Sequence, residues 1–266
     1  MTDIHPTAVV DPRAELASDV VVGPYCVIGP QVLLGAGVRL ESHVVITGRT
    51  RVGDRCRIFP FACLGHRPQD LKYRGEDTEL VIGSDNQIRE HVTMHPGTAG
   101  GGGITRIGDG GLFMAAIHVA HDCLIGNGVI MANNAALGGH VEIQDHAYLG
   151  GLCAVHQFVR IGQQAMIGGL AGVENDVIPY GMVLGNRAHL NGLNIVGMKR
   201  RGVSREEIHD LRTAYRLLFA PEGAFAERLA EVAEQFAEHP RIMEIVEFIR
   251  SAGSRAICVP RQNRVS

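Results

Sequence analysis

A period of six runs through most of this 266-residue chain. From Ile4 the series Val10, Leu16, Val22, Ile28, Leu34, Leu40, Ile46, Val52, Ile58 and Leu64 is unbroken, and it returns from Ile107 through Val119, Ile125, Leu137, Leu149 and Ile161 to Val173. An amphipathic helix spaces apolar residues by three and four, and a half-buried strand by two, so neither yields sixes. A hexapeptide period is what a parallel β-helix needs. Each repeat is a short strand plus a turn, three repeats close a triangular coil of about 18 residues, and coils bury their apolar positions on one another. Small residues often follow the apolar one (Gly108, Ala120, Gly126, Gly138, Gly150, Gly162), and the chain has 34 Gly, no Trp and 5% aromatics. That suits tight corners around a core of Ile, Val and Leu.

Two interruptions are expected. His66 to Asp77 is polar and reads as a loop replacing most of one coil, an excursion at about 65–81. The step from Met94 to Ile107 exceeds two repeats by one residue and holds Pro96 and Gly100 to Gly103, an excursion at about 95–106. No Gly-Lys-Ser/Thr follows to cradle a phosphate, so a flexible connection is expected there. After Val173 the pattern fades through Pro179, Gly181 and Gly185. Ser204-Arg205-Glu206-Glu207 then has the form of a capping box, with Ile208, Leu211, Tyr215 and Leu218 on one helical face. Further helices are expected around 225–236 and 242–249, then a loose tail carrying Arg255, Arg261 and Arg264. The expected organisation is mainly β: a parallel β-helix over 1–185 and a small all-α C-terminal domain with a basic tail over 186–266.

A net charge of −3 and a pI near 6.5 argue against general nucleic-acid binding. No signal peptide is evident, and no apolar run is long enough for a membrane span. The six Cys form no C-x-x-C pair or zinc spacing, which points to reduced, packed thiols in a cytoplasmic protein.

Stacked coils lie about 4.7–4.9 Å apart, so residues one coil apart in sequence stand above one another. This places Gly139 and Gln157 over His121, His140 and Phe158 over Asp122, and Ala136 and Ala154 over His118. His156 stands over Ala120 and Gly138. One rib therefore gathers His118, His121, Asp122, His140, His156 and Gln157 around two glycines, whose open wall and backbone N–H groups suit an acyl carbonyl. A lone turn histidine is ordinarily a solvated residue; four on adjacent columns weigh a site equally with that reading. Zinc needs three or four ligands converging at about 2 Å, and with no Cys or Glu to complete a set, no metal is expected. Asp122 orients His121 only if a turn brings them together, because adjacent side chains on a strand diverge.

The run His118-Val119-Ala120-His121-Asp122-Cys123, with Ala132-Asn133-Asn134, Gly138-Gly139-His140 and Val155-His156-Gln157-Phe158, closely resembles the UDP-N-acetylglucosamine O-acyltransferase family. Gln69-Asp70-Leu71-Lys72-Tyr73 and Lys199-Arg200-Arg201-Gly202 extend the resemblance over essentially the whole chain. It implies a left-handed β-helix and a homotrimer with active sites in the grooves between subunits. It further implies transfer of a (3R)-3-hydroxyacyl chain from acyl carrier protein to the glucosamine 3-hydroxyl of UDP-N-acetylglucosamine, the first step of lipid A biosynthesis. No cofactor is implied beyond the phosphopantetheine thioester of the co-substrate. The family's general base falls on His121, its backbone oxyanion donor on Gly139, and Asp122 is a candidate orienter. Asp70, Lys72, His118, His140, His156 and Gln157 match groove residues; Asn194, Arg200 and Arg201 match the nucleotide end; Gly169 matches the acyl-length selector. Val196 departs from the Glu usual in the family. Between Lys199 and Arg216, six Lys/Arg against three Asp/Glu suit an acidic carrier protein. Two other readings stay open: N-acylation of a UDP-3-amino sugar, whose usual enzyme has a further N-terminal domain where Ile4 already starts the repeat, and a non-catalytic β-helix scaffold.

Overall fold

In the computed structural model, which describes residues 2–251 and 253–261, the period of six becomes a three-walled prism of parallel strands, most of them two residues long. Wall one has eleven strands, from Asp3–Ile4 through Val21–Val22 to Gly181–Leu184 and His189–Leu193. Wall two has nine, from Val9–Val10 to Gly172–Val173, and wall three has eight, from Glu15–Leu16 to Arg160–Ile161. The register is the one that stacking demands: Val119 pairs with Leu137, and Leu137 with Val155.

The interior holds a second series that the apolar period did not single out. Val20, Cys26, Val38, Val44, Cys56, Ala62, Cys123, Val129, Ala135 and Val141 are all buried, each two residues before a residue of the first series. Side chains alternate along extended backbone, so positions two apart share the inward face. All six cysteines are free, and all but the half-buried Cys63 are buried.

Many corners turn through a residue with φ near +60°, including Tyr25, His43, Phe61, Asp122, His140 and Phe158. Left-handed backbone costs a non-glycine residue about 1–2 kcal/mol. Ring stacking offsets part of this, as in the ladder Tyr25, His43, Phe61, His91 with centroids 4.9, 4.9 and 5.1 Å apart.

Cys63 pairs with Val45 on one side and Thr93 on the other, so the coil with the first excursion is longer than its neighbour by two hexapeptide lengths. All three walls keep their strand in it: Arg57–Ile58, Cys63–Leu64 and Glu79–Ile82. The loop is thus inserted into a complete coil and replaces none, which explains why the count of sixes survives it. The second excursion, closed by the strand Ile104–Ile107, contains a short 3-10 turn at Ala99–Gly101. Both leave from the corner between walls two and three.

Wall one ends in an antiparallel hairpin, Gly181–Leu184 with His189–Leu193, so β structure passes the expected boundary at 185. Among the described residues four helices follow: α1 (Ile195–Arg200), which was not expected, α2 (Arg205–Leu218), α3 (Phe225–Gln235) and α4 (Pro240–Arg250). The capping box is present: the Ser204 hydroxyl accepts from the Glu207 N–H at 3.1 Å, and the Glu207 carboxylate accepts from the Ser204 N–H at 3.2 Å. Over its described part the tail is not loose. Asp176 N–H donates to Ala256 O at 2.8 Å, Cys258 N–H to Asp176 O at 2.7 Å, and Leu190 N–H to Val259 O at 3.1 Å. The prism's last coil leaves backbone groups unpaired, and the tail pairs with them. Arg264 lies outside the described residues. Arg160 clamps the helical domain onto the prism: its guanidinium donates to Asp176 Oδ2 (2.8 Å), Ser251 O (2.9 Å) and Phe248 O (3.2 Å) and lies 4.4 Å over the Phe248 ring.

Candidate active site

His121 and Asp122 form the corner between walls two and three, and the left-handed turn at Asp122 (φ 60°) keeps their adjacent side chains from diverging. His121 Nδ1 lies 2.8 Å from Asp122 Oδ2. The Asp122 side chain is fully buried. It also accepts from the Thr98 N–H (2.8 Å) and hydroxyl (2.7 Å), while its own N–H donates to Thr105 Oγ1 (2.7 Å). A carboxylate only accepts, so Nδ1 carries the proton and Nε2 is left with its lone pair.

Thr98 and Gly101 belong to the glycine-rich excursion. A Cβ on Gly101 would overlap the Asp122 carboxylate. The segment expected as a flexible connection therefore packs on a buried carboxylate at Gly101, while Gly102 and Gly103 (φ 98° and 80°) take left-handed turns with open space beside them.

Gly139 lies over the imidazole, where an added Cβ would stand 2.5 Å from His121 Cε1 and 2.7 Å from Nε2. Among the described residues its N–H donates to no other backbone group. The column above Asp122 is equally regular: His140 N–H donates to His121 O at 3.0 Å, and the His140 ring stacks on Phe158 at 4.4 Å. His140 also meets His121 edge-on at 5.2 Å. Burial holds the His140 pKa below its ordinary value, against the opposing pull of Asp122 and Asp70. That influence brings the exposed first excursion electrostatically to the rib; there the Asp70 carboxylate accepts from the Lys72 N–H at 3.0 Å.

His118 Nδ1 bonds to Thr93 Oγ1 at 2.8 Å, and burial pushes its pKa down to about 4. Edge-on to it at 5.2 Å is His95, which is 6% exposed and which the column arithmetic missed. His95 Nδ1 donates to His66 O at 2.8 Å, and its buried Nε2 has no partner among the described residues. His95, Thr98 and Thr105 all lie within the second excursion, whose odd length breaks the regular spacing; His118 stands over Thr93, at the strand that leads into it.

His121, Asp122 and His140 each offer a ligand atom within 4.8 Å of the others. The Asp122 oxygens already hold two bonds from Thr98 and one from His121.

A family model described as Udp N-acetylglucosamine O-acyltransferase, Domain 2, matches residues 176–258. An acyl-[acyl-carrier-protein]–UDP-N-acetylglucosamine O-acyltransferase from Caulobacter vibrioides is 58% identical over 97% of this chain and 98% of its own length. One from Thermodesulfovibrio yellowstonii is 51% identical over 97% and 100%. The chain belongs to the UDP-N-acetylglucosamine O-acyltransferase family.

Solved structures of the family superpose closely. LpxA from Acinetobacter baumannii matches with a TM-score of 0.92 at 44% identity, covering 96% of this chain and 99% of that one. The UDP-N-acetylglucosamine acyltransferase from Campylobacter jejuni matches at 0.92 with 39% identity, covering 97% and 100%. The fold is that of the family, a left-handed parallel β-helix with a small C-terminal helical domain, and the chain is an acyltransferase enzyme.

Not every residue matched to the family's pattern joins His121 within one chain. Gly169 stands at the corner between walls one and two, where a Cβ would meet Gly151 O at 3.3 Å. Asn194 stands at the third corner, donating to Gln164 O (2.9 Å) and capping α1 by accepting from the Gly197 N–H (3.0 Å). Arg200 and Arg201 are exposed at the far end of α1, and Val196 is 60% exposed on it. His156 and Gln157 are exposed on the histidine rib, with Arg255 of the tail against His156.

Proposed function

We propose that this enzyme transfers a (3R)-3-hydroxyacyl chain from acyl carrier protein to the glucosamine 3-hydroxyl of UDP-N-acetylglucosamine, in the first step of lipid A biosynthesis. The observation that carries the mechanism is the His121 imidazole, held by Asp122 through Nδ1 and lying against Gly139 with Nε2 free. Nε2 takes the proton of the 3-hydroxyl as that oxygen attacks the thioester carbonyl. The Gly139 N–H receives the oxyanion; one such donor typically lowers the barrier by about 3–4 kcal/mol. Collapse breaks the C–S bond, and the imidazolium returns the proton to the departing thiolate. No acyl-enzyme forms, because donor and acceptor meet in one ternary complex.

His118, pushed down to about 4, stays neutral at physiological pH and serves as a hydrogen-bonding wall of the groove. Asp70, Lys72, His140, His156 and Gln157 line that groove, and Arg200 and Arg201 receive the diphosphate through their forked donors. Support for a homotrimer comes from the distribution over three corners: a substrate reaching from His121 to Gly169 and Arg200 fits a groove between two copies better than one prism. No helix of the described residues is long and apolar enough to cross a membrane.

The test is turnover of acyl carrier protein thioesters against UDP-N-acetylglucosamine and its 3-amino analogue, with native protein and His121→Ala. Native protein is expected to prefer the hydroxyl acceptor, and the variant to remain folded with turnover reduced about a thousandfold or more. Near-normal turnover in His121→Ala removes it as the base, and preference for the amino sugar replaces O- with N-acylation.

A further inference from the structure

Over its described part the tail touches the histidine rib at His156 and Gln157, and the contact has a defined chemistry. Arg255 donates from Nε to Gln157 O at 3.1 Å and from Nη2 to His156 Nδ1 at 2.6 Å. We propose that Arg255 is a positioning residue, which fixes the His156 ring with Nδ1 accepting and presents its Nε2–H to a carbonyl or phosphate oxygen of the substrate. The proposal rests on the reading of His156 as a groove residue.

A guanidinium is protonated at any physiological pH and only donates. His156 Nδ1 also lies 3.2 Å from Gln157 O, which only accepts and already receives the Arg255 Nε–H at 3.1 Å. The guanidinium contact at 2.6 Å is the shorter one and needs a lone pair on Nδ1, which puts the ring proton on Nε2. His156 is thereby set opposite to His121. One imidazole is turned by a carboxylate so that Nε2 accepts, and the other by a guanidinium so that Nε2 donates. Among the described residues nothing takes a bond from His156 Nε2, and the side chain is exposed.

Arg255 is itself held by a built framework. Just before it, a Cβ on Gly253 would stand 2.7 Å from Arg160 Nε and 3.1 Å from Asp176 Oδ2, so the chain passes closely over that buried pair. Just after it, Ala256 O and Cys258 N–H are both bonded to the backbone of Asp176. Asp176 is fully buried. The tail is thus pinned on both sides of Arg255, and the guanidinium reaches His156 from a fixed base.

The decisive measurement is the ring tautomer of His156 in the full-length protein, read from 15N-histidine spectra at neutral pH and assigned by difference with His156→Gln. The native protein is expected to show the Nε2–H form, and Arg255→Gln a mixture of both forms. In parallel, Arg255→Gln is expected to lower kcat/KM about tenfold, the scale of one charge-assisted hydrogen bond, with Arg255→Lys recovering part of it. Adding Arg255→Gln to His156→Gln should then cost nothing more, because both act through the same ring. An Nδ1–H form in native protein, a tautomer unmoved by Arg255→Gln, or additive losses in the double variant each overturns the positioning role. Full activity in His156→Gln overturns instead the reading of His156 as a groove residue, and leaves the tautomer result to stand separately.

Discussion

At the scale of single residues, the site is governed by what a side chain would displace. Gly139 has no room for a Cβ without moving the His121 ring, which Asp122 holds from the other side. Gly139→Ala is expected to lower kcat about a hundredfold with a melting temperature within a few degrees of native, because the strained contact falls on a partly exposed ring. Unchanged kcat would mean that the ring has free space to move. His118 gives a prediction of a different kind. Its folded pKa is near 4 against an ordinary 6.5, and burial is the main cause. The unfolded chain therefore binds the proton more readily. Stability is complete above about pH 6.5 and is lost progressively as pH falls toward 4. His118→Asn should flatten that part of the melting-temperature profile; an unaltered slope between pH 6.5 and 4.5 would assign the acid sensitivity to other groups.

At the scale of elements, the two excursions and the tail are not appendages of the prism. The glycine-rich excursion supplies both Thr98 donors to Asp122, and the tail supplies Arg255 to His156. Arg160 joins the helical domain to the prism through Phe248 and Ser251 and is paired with Asp176, whose side chain is fully buried while that of Arg160 is 14% exposed. Removing one member of such a pair leaves an uncompensated buried charge and costs about 3–5 kcal/mol. Arg160→Met should therefore lower the denaturant midpoint, with hydrogen exchange rising first in α4 and residues 253–260. Loss of protection spread evenly over the prism would show that Arg160 is not a local clamp.

At the scale of the whole molecule, His121, Gly169 and Asn194 occupy three different corners of one prism. If complete sites form between copies, two inactive chains can complement each other. Mixing His121→Ala with the double variant Arg200→Ala/Arg201→Ala, followed by unfolding and reassembly, should restore about a quarter of native activity, since each site needs one intact chain on each side. No recovery would place all the needed groups in a single chain. The walls, the apolar series at every sixth residue and the columns over His121 and Asp122 were legible in the sequence, because a strict period turns linear spacing into vertical contact wherever coils are equal in length. Tertiary structure alone decided the His121–Asp122 bond, which depends on a left-handed φ that composition does not announce. The same holds for His95 and Thr98, which lie where an insertion breaks the period, and for Arg255, whose partner His156 is far away along the chain. Repetition writes its neighbours into the sequence, whereas contacts made by loops and tails exist only after the prism has formed and offers them a surface.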